Sequence, residues 1–506
     1  MLYSVNENIF TFNSGTEFAA INRQQLFRKF GSPSQLVTRD YNPRLHAELK
    51  ANGLTDEDCV NMYDYFQGTT HVTPQRQLLR TSPIVDKSQD HIVGVDNNES
   101  QLLHHGEVYA TVRIAAGTIG EIGEVRYQDR YGNPTATDVW DSRGFKSKTI
   151  YYHYDGSVGH ELLFNKAGVP VLEISHMNVN GQVLPSQFKL LAYGGQNRAF
   201  ASENALFTFF LTELSRQVPG VIINDRPSLT QAVAQVRGAL AKYQALHSQH
   251  VANPTQIHDW RARITPSLLP FFQDYAGDYD GLITPTAAEA ADIHHFFPTI
   301  QAFALPDFAD LSENKPARPQ THSQNVLYMG RLVPDKHIDQ MVRIFAGVLK
   351  QVPTAQLQLM GYFTDAAYEQ QIHELVKKLG IEKAVAFLGY QTGVQQQGVL
   401  ANAAVLIQTS LGEAGNLALK EGLAAGLPEV AYRIPYGIED VITVGENGFL
   451  IAPGDLDRFS KGIATILLDS NLQQKMHQGS LTKAAAFSGQ QVFASWQKVT
   501  SRSVTA

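Results

Sequence analysis

Two carboxylates and two cations give the clearest chemical signals in this sequence. Glu413 and Glu421 lie eight positions apart in SLGEAGNLALKEG, the first in a glycine-containing loop and the second on a predicted helix. Arg331 and Lys336 lie five positions apart in GRLVPDKHID, directly after an apolar segment. A guanidinium binds phosphate through paired hydrogen bonds, and an ammonium adds a compact positive charge. Together these residues predict a diphosphate site, although each pair taken alone also fits a solvated loop or a helix-capping acid.

Two junctions between a loop and a helix add backbone donors to these side chains. The amides of Gly415, Asn416 and Leu417 come at a predicted helix N-terminus, where free N–H groups and the helix dipole favour an anion. Glu421 follows on that helix, and a carboxylate is a good acceptor for the paired hydroxyls of a ribose. In NSGTEF, Gly15 would let the backbone approach a ligand, but a single glycine also fits an ordinary turn.

Strands that alternate with helices must position these loops. The segments NVLYMG, LQLMGY and AVLIQTS are short and apolar, and segments with helical spacing separate them. This alternation is typical of βαβ units on a parallel sheet. The sequence therefore predicts a Rossmann-like domain at 321–485, with Arg331 and Glu413 just beyond strand ends.

The N-terminal half predicts a second Rossmann-like domain that a β-rich module interrupts. Many short strands joined by Gly, Asn and Asp turns fill residues 76–200. We expect the interrupted domain to occupy residues 1–75 and 201–312. Residues 486–506 should form a helix that crosses back onto this domain. The polar segment Phe308–Asn325 contains two prolines and fits an interdomain linker.

Composition restricts the class of protein. The chain has 506 residues, 43% of them hydrophobic, with a net charge of −7, which argues against nucleic-acid binding through bulk positive charge. Cys59 is the single cysteine, so an intramolecular disulfide is impossible. The N-terminus lacks the pattern of a signal peptide, and the sequence has no apolar run of about 20 residues. We expect a cytoplasmic protein without a membrane span.

Motifs for metal-dependent or hydrolytic chemistry are weak or missing. The D-x-D tripeptides at Asp278–Asp280 and Asp455–Asp457 lack a neighbouring carboxylate or histidine and fit turns. The sequence contains no GxxxxGK[ST], HExxH or GxSxG pattern. We therefore predict no metal site.

The E-x7-E pair Glu413/Glu421 and the R-x4-K pair Arg331/Lys336 resemble those of the retaining glycosyltransferases of family 4. The segment VAYRIPYGIEDVITVGENGFLIAPGD fits the part of that pattern that follows the E-x7-E helix. The β-rich insertion, with DRYGNPTATDVWDSRGF, is similar to that of the α-glycosyltransferases of wall teichoic acid, which act on poly(glycerol-phosphate) or poly(ribitol-phosphate). Related enzymes that modify serine-rich adhesins carry a similar insertion. The resemblance implies the GT-B fold, which consists of two Rossmann-like domains.

The resemblance also implies roles for individual residues. Arg331 and Lys336 would hold the diphosphate of a UDP-sugar without a metal or another cofactor, Glu421 would bind the ribose, and Glu413 would lie near the sugar. The remaining implied donor-site residues are the glycine loop Ser14, Gly15 and Thr16, the uracil-side segment Phe387–Tyr390 with Leu388, the amides of Gly415, Asn416 and Leu417, and either His247 or His250 at the sugar.

Two positions depart from the family pattern. The usual E-G-F-G loop reads E-A-G-N, so the contacts of Ala414 and Asn416 are open. Glu429 stands where an apolar residue is commoner, and we expect it to form a local salt bridge.

These observations predict a retaining α-glycosyltransferase that moves glucose or N-acetylglucosamine from a UDP-sugar to a teichoic acid polymer. An alternative acceptor is a serine-rich adhesin, and a third hypothesis is a non-enzymatic partner subunit with the same fold. The insertion, as an acceptor-binding or oligomerisation module, makes a homo-oligomer plausible, with a trimer implied by the family. A peripheral location at the inner face of the membrane would fit a cytoplasmic enzyme of this kind.

Overall fold

The computed structural model describes residues 1–259, 262–307 and 323–500. Contacts between residues divide the chain into two units. Unit 1 consists of Met1–Thr11, Ser34–Ile222 and Gln231–Ala239. Unit 2 consists of Phe12–Pro33, Ile223–Thr230 and Leu240–Ala506. Most of the predicted linker, residues 308–322, lies outside the described residues.

The first elements of the chain alternate between strand and helix. They are β1 (Leu2–Asn6), α1 (Gly15–Lys29), β2 (Ser34–Thr38), α2 (Leu45–Ala51), β3 (Cys59–Asn61) and α3 (Met62–Gln67). The three strands pair in parallel, and all five residues of β1 are buried. Continuous burial is expected in a parallel sheet, because helices cover both of its faces.

Ten strands follow in a single antiparallel sheet within the described part of unit 1. They are β4 (Asp90–Gly94), β5 (Glu99–His104), β6 (Glu107–Ile114), β7 (Ile122–Gln128), β8 (Pro134–Asp141), β9 (Phe145–Tyr152), β10 (Val158–Phe164), β11 (Pro170–Val179), β12 (Gln182–Tyr193) and β13 (Gln196–Phe200). Each strand pairs with the next along the chain. Glycines with left-handed backbone, such as Gly156 and Gly168, make the tight turns that this arrangement needs.

The chain then returns to the parallel sheet. The elements are α4 (Glu203–Gln217), β14 (Val221–Asn224), α5 (Thr230–Ala234), β15 (Ala241–Ala245), β16 (Gly281–Thr284), α6 (Ala287–Phe296) and β17 (Ala302–Ala304). For the described residues, the strand order is β17-β16-β15-β14-β1-β2-β3. This order is that of a Rossmann-type sheet with one strand added, and it confirms the prediction of an interrupted α/β domain.

The C-terminal part of unit 2 forms a second parallel sheet. Its elements are β18 (Asn325–Met329), α7 (Ile338–Leu349), β19 (Gln356–Met360), α8 (Ala366–Leu379), β20 (Val385–Gly389), α9 (Gly393–Asn402), β21 (Val405–Gln408), α10 (Leu417–Ala424), β22 (Glu429–Tyr432), α11 (Ile438–Val441), β23 (Gly448–Ile451), α12 (Leu456–Leu468), α13 (Ser470–Ala484) and α14 (Gly489–Thr500). In the part of the chain that the structure describes, the strands have the order β20-β19-β18-β21-β22-β23. The order reverses between β18 and β21, so ligands are expected beyond the carboxyl ends of these two strands.

The last helix packs against the first. The Phe493 ring on α14 stacks on Phe30 at 4.5 Å and meets the edge of Phe27 at 5.2 Å. The Arg23 guanidinium of α1 lies 4.8 Å from the centre of the Trp496 ring. Aromatic and cation–π contacts therefore join the two ends of unit 2.

Glu429 does not form the predicted salt bridge, and the sequence interpretation of this residue is wrong. It lies on β22, its side chain is completely buried, and neither carboxylate oxygen has a hydrogen-bond partner among the described residues. Burial raises the pKa of this carboxyl well above its ordinary value. The reason is topological, because β22 lies between β21 and β23 under apolar helices, where a cation cannot reach it without losing its own hydration.

Candidate functional site

A cavity of unit 2 lies at the carboxyl edge of the second sheet. It is lined by the residues that follow β18, β19 and β20 and by the first turns of α1 and α10. Five of the predicted site residues line it, namely Ser14, Gly15, Arg331, Leu417 and Glu421. This is the place that the reversal of strand order indicates for a ligand.

The turn before α1 presents backbone to this cavity. Gly15 has no heavy atom within 4 Å of an ideal Cβ and does not have a left-handed φ, so the fold itself does not require glycine here. The Ser14 backbone N–H and hydroxyl both donate to Glu17 Oε2, at 2.7 and 2.6 Å. Arg226 forms an ion pair with the other oxygen of Glu17. Thr16 does not line the cavity.

Arg331 and Lys336 occupy different environments. Arg331 is exposed, borders the cavity, and has no ion pair among the described residues. Lys336 ends a short 3-10 helix, and its Nζ lies 2.6 Å from Glu413 Oε1. The sequence predicted separate roles for Lys336 and Glu413 at the diphosphate and the sugar. The structure brings them into one ion pair, with both side chains mostly buried outside the cavity lining.

Glu421 borders the cavity from α10. Its Oε2 accepts a hydrogen bond from Gln396 Nε2 at 2.9 Å, and Gln396 lines the same cavity. Burial raises the pKa of Glu421 to about 8, and the bond from Gln396 opposes that rise. A carboxyl with a pKa near neutrality can be neutral in the free protein and ionised by a ligand that donates hydrogen bonds to it.

Tyr362, which lines the cavity, and Phe12, which contacts the rings there without lining it, were missed in the sequence, whereas Tyr390 lies in the predicted uracil-pocket segment Phe387–Tyr390. The Tyr362 and Tyr390 rings lie 5.7 Å apart, and Phe12 lies 5.1 Å from Tyr390 in an edge contact. Tyr362 and Tyr390 follow β19 and β20 in the same way, since LQLMGY and VAFLGY both end in Gly-Tyr. The repeated Gly-Tyr after two neighbouring strands was the sequence signal for these side chains. Leu388, the predicted uracil-side residue, does not line the cavity, and its carbonyl accepts from Gln391.

The two candidate histidines have different partners and neither lines the cavity. His247 Nε2 lies 2.9 Å from Asp225 Oδ1, and the buried Asp225 also pairs with Arg23. His250 is 1% exposed, and its Nδ1 lies 3.2 Å from Glu289 Oε1. Each imidazole therefore has one carboxylate partner. Which of the two histidines contacts the sugar stays a prediction.

The start of α10 explains part of the unusual E-A-G-N loop. Asn416 caps the helix with φ 38°, and its Oδ1 accepts from the Leu419 N–H at 3.1 Å. A Cβ on Gly415 would lie 2.6 Å from Asp307 Oδ2 and 2.7 Å from Pro285 Cβ, so glycine is needed for this close approach. Gly415 and Asn416 lie outside the cavity lining, whereas Leu417 borders it.

Groups suited to a metal are missing from this neighbourhood. Within residues 1–259, 262–307 and 323–500, no cluster of three or more His, Cys, Asp or Glu residues could hold a metal ion. The same residues include no helix long and apolar enough to cross a lipid bilayer.

The sequence is similar to those of known glycosyltransferases. Residues 312–481 match the family "Glycosyl transferases group 1". The "UDP-N-acetylglucosamine--peptide N-acetylglucosaminyltransferase GtfA subunit" of Streptococcus gordonii is 23% identical to this chain, over 98% of each protein. The "Poly(ribitol-phosphate) alpha-N-acetylglucosaminyltransferase" of Staphylococcus aureus (strain COL) is 22% identical, over 86% of each.

A solved structure shows the same fold over the whole chain. The pneumococcal O-GlcNAc transferase GtfA, crystallised with UDP and GlcNAc, superposes with a TM-score of 0.85 at 18% identity. The superposition covers 100% of this chain and 99% of the other. The sheet orders and this match confirm the predicted GT-B fold with a β-rich insertion. Residues 312–481 are thus similar to the glycosyl transferases group 1 family, within a chain that has the GT-B fold.

Proposed function

We propose that this protein is a retaining α-glycosyltransferase that moves glucose or N-acetylglucosamine from a UDP-sugar to a hydroxyl of a teichoic acid polymer. The observation that carries the proposal is the cavity lined by both Glu421 and Arg331, which has no ion pair among the described residues. The relative from S. aureus, whose name specifies poly(ribitol-phosphate), supports a polyol-phosphate acceptor.

The side chains suggest how the reaction is assisted. The bond between the anomeric carbon and the diphosphate oxygen breaks, and the acceptor oxygen bonds to that carbon on the same face. The acceptor proton passes to the departing diphosphate. Arg331 and Lys336 stabilise the negative charge on the leaving UDP without a metal, provided that Lys336 turns from Glu413 towards the diphosphate.

The proposal also includes where in the cell the protein acts and how its subunits assemble. We place the reaction in the cytoplasm, at the inner face of the membrane, where the polymer would be modified. A homo-oligomer, specifically a trimer, would form through the insertion. Exposed apolar side chains at the β11–β12 hairpin support that assignment, since Met177 is 61% and Leu184 44% exposed.

The test is release of UDP from UDP-glucose or UDP-N-acetylglucosamine with poly(glycerol-phosphate) or poly(ribitol-phosphate) as acceptor. We expect Lys336→Ala and Glu413→Ala to lower turnover by about 100-fold or more. Lys350→Ala removes an exposed lysine at the end of α7 and is the matched control. Unchanged turnover in both site variants would overturn the proposal.

A serine-rich protein is the second candidate acceptor. The GtfA relative from S. gordonii, whose name specifies a peptide acceptor, matches this chain over 98% of both lengths. A Ser-rich peptide offered beside the polymers, with equal donor, separates the two acceptors. If calorimetry detects no binding of UDP-sugar, the non-enzymatic partner subunit becomes the better interpretation.

A further inference from the structure

Glu289 holds His250 through two hydrogen bonds to one oxygen. The residue lies in the first turn of α6 and is completely buried. Its Oε1 accepts the His250 backbone N–H at 3.0 Å and lies 3.2 Å from His250 Nδ1. Both the backbone and the ring of His250 are therefore fixed by one carboxylate. Among the described residues, His250 has no other ion pair.

A second acid on α6 extends this arrangement. Asp292 lies three positions after Glu289, and its Oδ2 accepts the Tyr436 hydroxyl at 2.6 Å. The Tyr436 ring lies 6.1 Å from the His250 ring at an angle of 26°. The Tyr436 backbone N–H donates to the Glu413 carbonyl at 3.0 Å. Helix α6 thus connects His250 with the loop that carries Glu413.

Burying the Glu289 carboxyl costs free energy, which indicates that this side chain has a role beyond filling space in the core. Its Oε2 has no hydrogen-bond partner in the described part of the chain. Desolvation raises the pKa of this carboxyl, and the two bonds from His250 oppose that rise. A buried polar group with an unsatisfied atom destabilises a fold, so a neutral side chain would serve a purely structural contact better.

We propose that Glu289 is a positioning residue that fixes His250 as the tautomer with hydrogen on Nδ1, so that Nε2 accepts a hydrogen bond from a hydroxyl of the donor sugar. Glu289 Oε1 already accepts the His250 backbone N–H and so acts as an acceptor, and the ring nitrogen 3.2 Å from the same oxygen therefore carries the hydrogen. The role at the sugar rests on the proposed transferase function, whereas the tautomer does not.

Kinetics of paired variants test the positioning role. Glu289→Gln keeps an acceptor oxygen, and we expect its kcat/KM for the UDP-sugar to stay within about threefold. Glu289→Met removes the acceptor and should lower kcat/KM by about 10–100-fold, as loss of an outer partner does at other sites. In a His250→Ala background, Glu289→Met should add less than about a twofold loss, because the ring that it orients is gone.

The control for burial is Glu429→Met, which changes another fully buried glutamate of unit 2 that does not touch His250. It should leave kcat/KM unchanged. Multiplicative losses for Glu289→Met and His250→Ala would overturn the positioning role, because independent structural effects multiply.

Nuclear magnetic resonance of ¹⁵N-histidine-labelled wild-type protein tests the tautomer without relying on any variant of Glu289. Loss of one set of ring signals in His250→Ala assigns His250. We expect a protonated Nδ1 and an unprotonated Nε2, and the reverse pattern would overturn the inference. If the wild type transfers no sugar, the proposed function fails, but the tautomer result still decides this inference.

Discussion

At the scale of single residues, four buried or half-buried glutamates of unit 2 differ in their partners. Glu413 has a lysine, and Glu289 has a histidine. Glu421 has only the amide of Gln396, and Glu429 has no partner among the described residues. Burial raises the pKa of Glu289, Glu421 and Glu429, because it favours the neutral form of a carboxyl.

Donor binding should strengthen as the pH rises through about 8, the raised pKa of Glu421. If the ribose hydroxyls need the ionised carboxylate, the protonated form at pH 7 weakens binding of UDP-sugar by about tenfold relative to pH 9. Calorimetry with UDP-sugar between pH 7 and 9 measures this change. Glu421→Gln should bind with a constant affinity, and a flat profile in the wild type would contradict the assignment.

Replacing Glu429 should stabilise the protein. Glu429→Met keeps the length of the side chain and removes the unpartnered carboxyl, so we expect the free energy of unfolding to rise by about 1–3 kcal/mol at pH 8. The folded-state pKa is raised. The folded protein therefore binds the proton more tightly than the unfolded chain, and wild-type stability falls as the pH rises above the unfolded pKa.

Denaturant unfolding at pH 5 and pH 8 measures this effect. The gain in Glu429→Met should be smaller at pH 5, where the wild-type carboxyl is mostly neutral. An equal gain at both pH values would show that ionisation of Glu429 does not contribute.

At the scale of elements, the two helices at the cavity begin in different ways. Helix α1 begins after Ser14 with a capping box closed by Glu17. Helix α10 begins after Asn416, whose backbone is left-handed and whose side chain caps the helix. The first arrangement is ordinary in its backbone, whereas the second depends on the few residues that adopt a positive φ.

Asn416→Ala should lower the free energy of unfolding by about 2 kcal/mol, because it loses the cap and strains the left-handed backbone. Asn416→Gly keeps the backbone relaxed and should cost only a few tenths of a kcal/mol. Urea unfolding compares the two variants. Equal losses of unfolding free energy in the two variants would show that the positive φ of Asn416 does not affect stability.

Gly15→Ala should weaken donor binding without affecting the fold. A methyl group here meets no protein atom within 4 Å and projects beside the cavity. We expect the Kd for UDP to rise by about tenfold with an unchanged Tm, because the methyl group excludes the diphosphate from the backbone. Gly398→Ala on α9 also adds a methyl in open space, away from the cavity lining, and should leave the Kd unchanged.

At the scale of the whole molecule, buried ion pairs join the insertion to the first helices within unit 1. Arg143, between β8 and β9, donates to Asp64 of α3 at 2.9 Å and to Asp141 at 2.8 Å. Its Nη1 also donates to the Thr69 carbonyl. His46 of α2 bonds to the same Asp64 at 2.8 Å. Charged groups so deeply buried must be paired, so the insertion and these helices should unfold together.

Arg143→Met should lower the free energy of unfolding of unit 1 by about 3–5 kcal/mol, because two buried carboxylates lose their cation. Arg76→Met removes an exposed partner of Glu121 and should change the free energy of unfolding of unit 1 by less than about 1 kcal/mol. Hydrogen exchange measures protection in the insertion and in α3 separately. Loss of protection in the insertion alone would contradict a shared unfolding unit.

The sequence by itself determined the order of elements and the loops that carry the chemistry. Apolar segments with helical spacing between them predicted both Rossmann-like sheets, and turn residues predicted the antiparallel insertion. Arg331 was predicted at the site because it follows a strand end, and Glu421 because it lies on the helix after the glycine-containing loop; both border one cavity. Local spacing is sufficient for such predictions, because the carboxyl ends of parallel strands share one edge of a sheet.

Tertiary structure alone decided which charged groups meet. Lys336 and Glu413 are 77 positions apart, and His250 and Glu289 are 39 apart. Strand order brings them together, and neither spacing shows in a local pattern. Glu429, which has no hydrogen-bond partner in the described part of the chain, has the same explanation, because its strand lies inside the sheet only once β23 pairs on its outer side. Contacts between distant segments depend on sheet topology and burial, and these decide which charged groups of the site are paired.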